Sequence, residues 1–450
     1  MKTVEIIERI EGEAKLNCTW SDGKISDARI DFLNFRGFEF ILKDKSPLDA
    51  LVYTPRICGI CGQAHLKATV EALENVYENI GEKLEITNKA KLLREIGLNI
   101  EIIDSHIKWF YMFILPDIIK LETNDLNIYA PLKGKRWLEA SKVASDTIKS
   151  LAIIGGQWPH TSYMIPGGVV SDPTLTEVST MINYLDGAIR FFEESIAGID
   201  FDEYLAFDDY SHLEKLNGDL KYFKDISYKH DLNKYGKSHN RFLTLGESSF
   251  FKAGKIKSRL VTKLDLEKIQ ENSESTFSVT EENDSTKHTW SKSVTYNSNF
   301  FETGPLSRAV IQGRKFIKEI HKNFDDSAFT RIMARVDELA HLLYITKNLI
   351  KQIDIKETSF IKPSLELKKI TNASGIGVVE ACRGSLYHNL SIKNGKIENY
   401  DVITPTVWNL GPENSSQKGV AQRAIIGSPT IDIAKIVLRS FDVCSVCTTH

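Results

Sequence analysis

The chain lacks a long hydrophobic run. Its longest strongly apolar patch, Trp109 to Leu115, is bounded by Lys108 and Asp117 and falls far short of the roughly 20 residues of a membrane-spanning helix. It also lacks a signal-like start: MKTVEIIERIEGE alternates charged and apolar residues with no apolar core. The expectation is a cytoplasmic protein, which partner subunits could still carry to the inner face of the cytoplasmic membrane. Charge of one sign is scarce. A net charge of −3 exerts no strong pull on nucleic acid or on an anionic membrane. Internal repeats and low-complexity tails are missing too. What remains, 42% hydrophobic and 26% charged residues over 450 positions, suits a globular protein with one large core or two to three domains.

Short alternating patterns occupy residues 4–9, 14–20 and 25–34, with a turn at Ser21-Asp22-Gly23-Lys24. From 64 to 80 the pattern becomes helical, and helical periodicity returns at about 89–120, 136–153, 174–198, 306–324 and 327–354. Asp172-Pro173 and Gly304-Pro305 read as helix starts. Residues 252–300 are rich in Lys, Ser, Thr, Asn and Glu and read as a loop-rich surface excursion with some strand. A β-hairpin is expected over 376–404 around Lys393-Asn394-Gly395-Lys396, and a last helix over about 430–441. The fold class is therefore α+β and helix-rich.

Cysteine is sparse, with six residues, yet four of them form two C-x-x-C pairs, Cys58/Cys61 and Cys444/Cys447, near opposite ends of the chain. Without a secretory signal such pairs read as metal or redox sites rather than disulfides. Four thiolates suit Zn, Fe–S, Cu(I) or Ni and exclude Mg and Ca as direct guests. A structural zinc site is the plain reading, but zinc ribbons place their pairs about 15–20 residues apart. A thioredoxin-type motif needs a βαβ context that is absent. A four-cysteine cluster remains open on spacing alone. His65 and His450 follow the two pairs in parallel positions, which strengthens a metal reading.

At Arg56-Ile57-Cys58-Gly59-Ile60-Cys61-Gly62-Gln63-Ala64-His65 the chain resembles the first cysteine motif of nickel–iron hydrogenase large subunits. At Arg439-Ser440-Phe441-Asp442-Val443-Cys444-Ser445-Val446-Cys447-Thr448-Thr449-His450 it resembles the second. Other landmarks follow in order: Arg9-Ile10-Glu11-Gly12, Arg36-Gly37-Phe38-Glu39, Pro159-His160-Thr161, Pro166-Gly167-Gly168 and Trp290-Ser291-Lys292. Then come Glu302-Thr303-Gly304-Pro305-Leu306, Glu380-Ala381-Cys382-Arg383-Gly384 and Pro405-Thr406-Val407-Trp408-Asn409. One C-x-x-C is weak evidence; an ordered set spanning nearly the whole chain is specific.

The resemblance implies one large-subunit domain over 1–450, with a central long-helix bundle and small peripheral β-sheets. Within it lie an N-terminal β segment (1–50), a helical core (about 60–200 and 305–355), a loop-rich insertion (about 200–300) and a C-terminal β/helix segment (370–450). It further implies that Cys58 and Cys444 bind nickel terminally. Cys61 and Cys447 would bridge nickel to an iron carrying one CO and two cyanides, where H2 splits heterolytically. By the same resemblance Glu11 is a proton gate beside Cys444, Arg383 a guanidinium over the open nickel position, Thr406 a donor to a cyanide and His65 a donor to a bridging thiolate. Glu39 and His450 match ligands of a separate Mg site, completed by water. Asp442 and Cys382 flank the centre.

Departures from the family pattern remove no ligand. Cys382 stands where many relatives have Pro or Ala, Val443 where Pro is usual, and Glu13 where His is common. The frequent aspartate over the nickel is either Asp104 or replaced by Ser105. Only Cys18 and Cys382 lie outside the motifs, so electrons would leave through an iron–sulfur small subunit, in a heterodimer expected to form a higher oligomer. Two roles stay open: uptake hydrogenase, or H2 sensor with slow turnover signalling to a kinase. The chain ends at His450, either after removal of an extension or because none is encoded, the latter typical of sensors. Ile60 and Phe113, at gas-channel positions often Val and Leu, are bulky in the sensor manner. A quinone-reducing relative that has lost its metal would not keep all four cysteines.

Overall fold

The computed structural model describes residues 1–122, 127–257, 260–279 and 286–448. The chain opens with an antiparallel sheet of β1 (Lys2–Ile6), β2 (Lys15–Ser21) and β3 (Lys24–Asp31). Asp22 and Gly23 both take positive φ (51° and 73°), the backbone a tight hairpin needs. The 1–50 segment is strand only in part. Phe38–Leu42 forms α1 and Ala50–Tyr53 begins α2, because Glu39 in α1's first turn and the Ser46/Asp49 capping box favour helix starts there.

Helix α3 (Gly62–Asn79) follows the first cysteine pair, and α4 (Asn88–Lys108) starts at Thr87, whose side chain accepts from Ala90 N. The expected 89–120 helix is continuous but not uniform. A π-turn over Trp109–Ile114 joins α4 to α5 (Leu115–Ile118). Pro116 has no N–H for an ordinary helical bond, and Leu115 N reaches back to Phe110 O instead. Helix α6 (Lys135–Gly155) precedes a two-stranded ribbon of β4 (Met164–Ile165) and β5 (Gly168–Val169). Helix α7 (Leu175–Phe191) starts two residues later than Pro173 suggests, because Thr174 and Glu177 form a reciprocal capping box.

Beyond residue 200 the chain is more helical than expected. It forms α8 (Phe201–Leu205) and α9 (Asp219–Lys229) before the loops begin. Phe201, Tyr204, Leu220 and Phe223 are buried, but elements this short give too few turns to show a period. The excursion then carries β6 (Phe242–Thr244), β7 (Gly254–Ile256), β8 (Ile269–Asn272) and β9 (Ser293–Tyr296). The single helix expected over 306–324 is two, α10 (Pro305–Gln312) and α11 (Lys315–Phe324), parted at Gly313 with φ 84°. Helix α12 (Ala328–Ile350) closes a bundle in which α4 packs on α6 and α12, and α7 on the same two.

Three strands, not two, form the C-terminal sheet: β10 (Asn372–Ala381), β11 (Gly384–Lys393) and β12 (Lys396–Ile403). The added turn, Cys382-Arg383, carries the site's guanidinium. Strand β10 lies directly on α3, where a side chain at Gly375 or Gly377 would strike the carbonyls of Ala72 and Ala68. This contact fixes the first cysteine helix relative to the Cys382-Arg383 turn. Helices α13 (Pro405–Leu410), α14 (Val420–Ile425) and α15 (Ile431–Ser440) then lead to the second cysteine pair.

Candidate metal centre

Cys58 lies in the loop before α3 and Cys61 at that helix's start. The backbone N–H groups of Ile60 and Cys61 point at Cys58 Sγ, at 3.4 and 3.3 Å. From the other end of the chain, α15 stops, Asp442 takes φ 62°, and a short turn over Ser445–Cys447 returns the second pair to the first. The sulfurs meet. Cys58 and Cys444 Sγ are 3.8 Å apart, Cys61 and Cys447 3.6 Å, and Cys444 and Cys447 2.9 Å. All four are buried and none is in a disulfide.

Burial opposes a Cys58 thiolate. Hydrogen bonds from Cys444, Cys447 and Cys61, with the Arg383 charge, outweigh it and hold its pKa well below the ordinary thiol value. The other thiols resist ionisation: Cys61 because it donates to Cys382, Cys444 because of burial, and both are pushed well up. A bound metal would displace those protons, the usual coupling of thiolate ligation to deprotonation. A buried set of four soft donors fits nickel and iron.

Glu11 sits against this group. Its Oε1 accepts from Gly59 N at 2.9 Å, and Cys58 Sγ is 3.5 Å from its Oε2. The carboxylate thus meets Cys58 first, while the Glu11 backbone pairs with Cys444 and accepts from Ser445 N at 2.9 Å. Arg439 holds the preceding carbonyls of Glu8 and Arg9 and bonds Asp117. Burial and then the charge of Cys58 raise the Glu11 pKa to about 7, where a carboxyl can both take and give a proton. Arg383 is fully buried, its Nε 3.3 Å from Asp442 Oδ1 and its Nη1 3.6 Å from Cys382 Sγ. Burial works against its charge, but Asp442 and the sulfurs of Cys382, Cys444 and Cys61 prevail and push its pKa up.

The profile described as nickel-dependent hydrogenase matches residues 36–127 and 123–450. The chain belongs to that family. The periplasmic [NiFeSe] hydrogenase large subunit of Desulfomicrobium baculatum is 26% identical over 521 residues, covering 100% of this chain and 94% of its own. The hydrogenase-2 large chain of Escherichia coli K12 is 24% identical, covering 100% and 96%. A solved structure, the reduced Ni-Fe-Se hydrogenase of D. vulgaris Hildenborough, shares the fold with a TM-score of 0.85 at 23% identity, covering 100% of both chains. This hydrogenase chain carries sulfur at all four motif positions.

Other residues of the hydrogenase take clear places. Cys382 is buried, and its pKa falls to about 7 because the Cys61 thiol donates to it and Arg383 lies beside it. Ser105 also bonds Cys382, whereas Asp104 turns to Lys108 Nζ at 2.8 Å. Ser105 is thus the neighbour of Cys382, while Asp104 Oδ1 is buried with no partner among the described residues. Thr406 is buried with no partner for its Oγ1 among the described residues, an orphan donor that suits an additional acceptor. His65 Nδ1 is 3.0 Å from His388 Nε2, and His388 Nδ1 is 2.8 Å from Tyr400 Oη. Glu39 accepts from Val402 N at 2.9 Å, with Lys292 Nζ 3.8 Å away. His450, which the sequence resemblance pairs with it, lies outside the described residues. Ile60 and Phe113 are half-buried against the core, and Val443 and Glu13 are respectively buried and exposed.

Sequence reasoning missed Glu101, His388, Arg335 and Arg308. Glu101 is a fully buried carboxylate of α4 that accepts from Gln63 N (2.7 Å) and Ala64 N (3.1 Å) at the start of α3. Its signal was a lone acid between Ile100 and Ile102.

Proposed function

We propose that this chain oxidises H2, reversibly, at a nickel–iron centre held by Cys58, Cys61, Cys444 and Cys447. Cys58 and Cys444 would bind nickel alone. Cys61 and Cys447 would bridge nickel to an iron bearing one CO and two cyanides. The observation that carries this reading is the convergence of four buried sulfurs from the two chain ends within 3.8 Å of their partners. When bound, the metal pair supplies the redox and Lewis-acid chemistry that splits H2 into protons and electrons.

The chain's own residues do the rest. Arg383 sets a permanent positive charge beside the sulfurs, where negative charge develops. A proton on Cys58 Sγ has Glu11 Oε2 3.5 Å away, and Glu11 passes it outward. With the centre bound, Thr406 Oγ1 would donate to a cyanide, and His65, engaged through Nδ1 by His388, would donate to a bridging thiolate. Asp442 and Cys382 flank Arg383. Glu39 and His450 would hold Mg2+. The strap that carries the second cysteine pair is held by Thr404 Oγ1, which donates to Cys447 O at 2.7 Å.

Outside the four ligands the chain has Cys18 in β2 and Cys382 beside Cys61, too few for a four-cysteine cluster. Electrons therefore pass to an iron–sulfur small subunit, in a heterodimer that assembles further. No helix among the described residues is long and apolar enough to cross a membrane. The cytoplasm is the proposed compartment. The uptake role is preferred; the half-buried Ile60 and Phe113 favour the second reading, a slow sensor that signals to a kinase.

Infrared spectroscopy of the purified heterodimer, with nickel and iron quantified on the same sample, tests the reading. One CO band, two cyanide bands and about one nickel per heterodimer are expected, with iron in excess of nickel because the small subunit carries iron–sulfur clusters. Zinc in the sulfur site and no such bands, after co-expression with maturation proteins, would overturn it. Steady H2 oxidation with an artificial acceptor separates the uptake role from the sensor, which would turn over slowly.

A further inference from the structure

Helix α12 carries Arg335, buried with its guanidinium 4.7 Å over the Trp109 ring. Its Nη1 faces three acceptors: Cys382 O at 3.0 Å, Asp442 Oδ2 at 3.1 Å and His106 Nδ1 at 3.1 Å. The first two are what aim Arg383. Cys382 O belongs to the peptide that leads into Arg383, and Asp442 meets Arg383 Nε through its other oxygen, Oδ1, at 3.3 Å. Each oxygen of Asp442 thus faces its own arginine, Oδ2 by a hydrogen bond from Arg335 and Oδ1 by a charge contact with Arg383.

Behind Arg335 the chain of contacts continues. His106 Nε2 lies 2.9 Å from Glu338 Oε1, so the ring donates there and presents Nδ1 as an acceptor to Arg335. Glu338 is gripped by Arg308 at 2.6 and 2.7 Å, and Arg308 Nη1 reaches Glu380 Oε2 at 3.0 Å. All of these groups are buried. Asp442 is shared by two buried arginines, of which Arg383 also has the sulfurs of Cys382, Cys444 and Cys61 beside it, and burying a second arginine here is costly. A merely structural ion pair needs one arginine. Two arginines on opposite oxygens make sense where the direction of one of them matters.

We propose that Arg335 is a positioning residue for H2 activation: through Cys382 O and Asp442 it holds the Arg383 guanidinium in its direction beside the sulfurs. The inference rests on the reading of Arg383 given above. All three contacts come from the one nitrogen Nη1 at the far end of the guanidinium; a lysine keeps the charge at 335 but its shorter side chain does not carry an ammonium to that point.

The test uses the heterodimer loaded with nickel and iron, carrying R335K, R383K or both. H2/D+ exchange, nickel content and the infrared CO and cyanide bands are measured on each. R335K should keep its nickel, shift those bands in the same sense as R383K, and lose exchange by roughly tenfold to a hundredfold, as a misplacement of about 1 Å would. R383K should lose more, and the double variant no more than R383K alone. Losses that multiply in the double variant, or R335K bands at wild-type positions, would overturn the positioning role alone. R383K with wild-type exchange would instead remove the Arg383 reading, and this inference with it. Should R335K fail to fold, R335Q keeps one donor, drops the buried charge, and is judged by the same comparison.

Discussion

The two C-x-x-C pairs deliver equivalent sulfurs by different means. The first is a local structure. It begins an 18-residue helix, its own backbone N–H groups aim at Cys58 Sγ, and one buried carboxylate, Glu101, anchors the helix start. The second follows a residue at φ 62° and ends in a three-residue turn. Besides the bonds of that turn, it is held by distant groups: Arg36 on Val446 O (2.7 Å), Thr404 on Cys447 O (2.7 Å), the Glu11 carbonyl on Ser445 N (2.9 Å), and Arg335 and Arg383 on Asp442. Half of the centre can form early from local contacts. The other half exists only once the strap has closed against the rest of the chain.

At the metal itself the difference should vanish. Cys444→Ser and Cys58→Ser should each reduce nickel in the purified heterodimer to near zero, since on the proposed reading each would remove a terminal soft ligand. A full nickel complement in Cys444→Ser would mean that the strap closes the site without supplying it. Glu11→Gln, which touches both halves, comes next in size. It should leave nickel intact and lower H2/D+ exchange by about a thousandfold, within the range of roughly 10²–10⁴ usual for a lost general acid–base group. Near wild-type exchange in a loaded Glu11→Gln would refute the gate assignment.

The contrast also explains what could be read from the sequence. The first pair announced itself, because a C-x-x-C followed by helical periodicity from Ala64 is a local pattern, and α3 begins at Gly62. The second pair was legible as a motif, and Arg36, Glu11 and Arg383 as landmarks, but Thr404 and Arg335, which also hold it, were not: they come from separate segments. Their type alone marks them as ordinary surface residues until the fold buries them. Cys382-Arg383 was recognised by its resemblance, yet its place at the tip of a β10–β11 turn was not, because Gly375 and Gly377 break the strand pattern where β10 must lie against α3. Which of Asp104 and Ser105 faces Cys382 depends on one step around α4, and the packing of that helix, not its sequence, sets that step.

A middle-sized effect should fall on the strap alone. Thr404→Val removes the bond to Cys447 O and the side-chain acceptor at the start of α13, where Val407 N is capped. The expected loss of stability is about 1–3 kcal/mol, measured by thermal unfolding of the heterodimer. Ile60→Val in the first pair should cost less, about 0.5–1.5 kcal/mol. Equal losses would erase the distinction between the two halves.

The smallest and most telling difference should be in pH dependence, because the supports of the two halves carry opposite signs. Beneath the strap, burial and then the charge of Arg335 lower the His106 pKa from 6.5 to about 3. Between those values the unfolded chain binds a proton that the folded chain refuses, so this contribution to stability is lost as pH falls from about 6.5 towards 3. Its slope is at most about 1.4 kcal/mol per pH unit. Glu338, held down to about 2, adds a loss of the same sign below its ordinary 4.5. Under the first pair, burial and then Cys382 push the Glu101 pKa well above 4.5. There the folded chain keeps a proton that the unfolded chain gives up, so stability falls as pH rises from 4.5. The window from 4.5 to 6.5 contains the opposed slopes of His106 and Glu101 without that of Glu338. In denaturant unfolding across it, His106→Gln should make the stability of the heterodimer fall more steeply with rising pH, and Glu101→Gln less steeply. Shifts of the same sign in both variants would show that the two halves share one electrostatic frame rather than two.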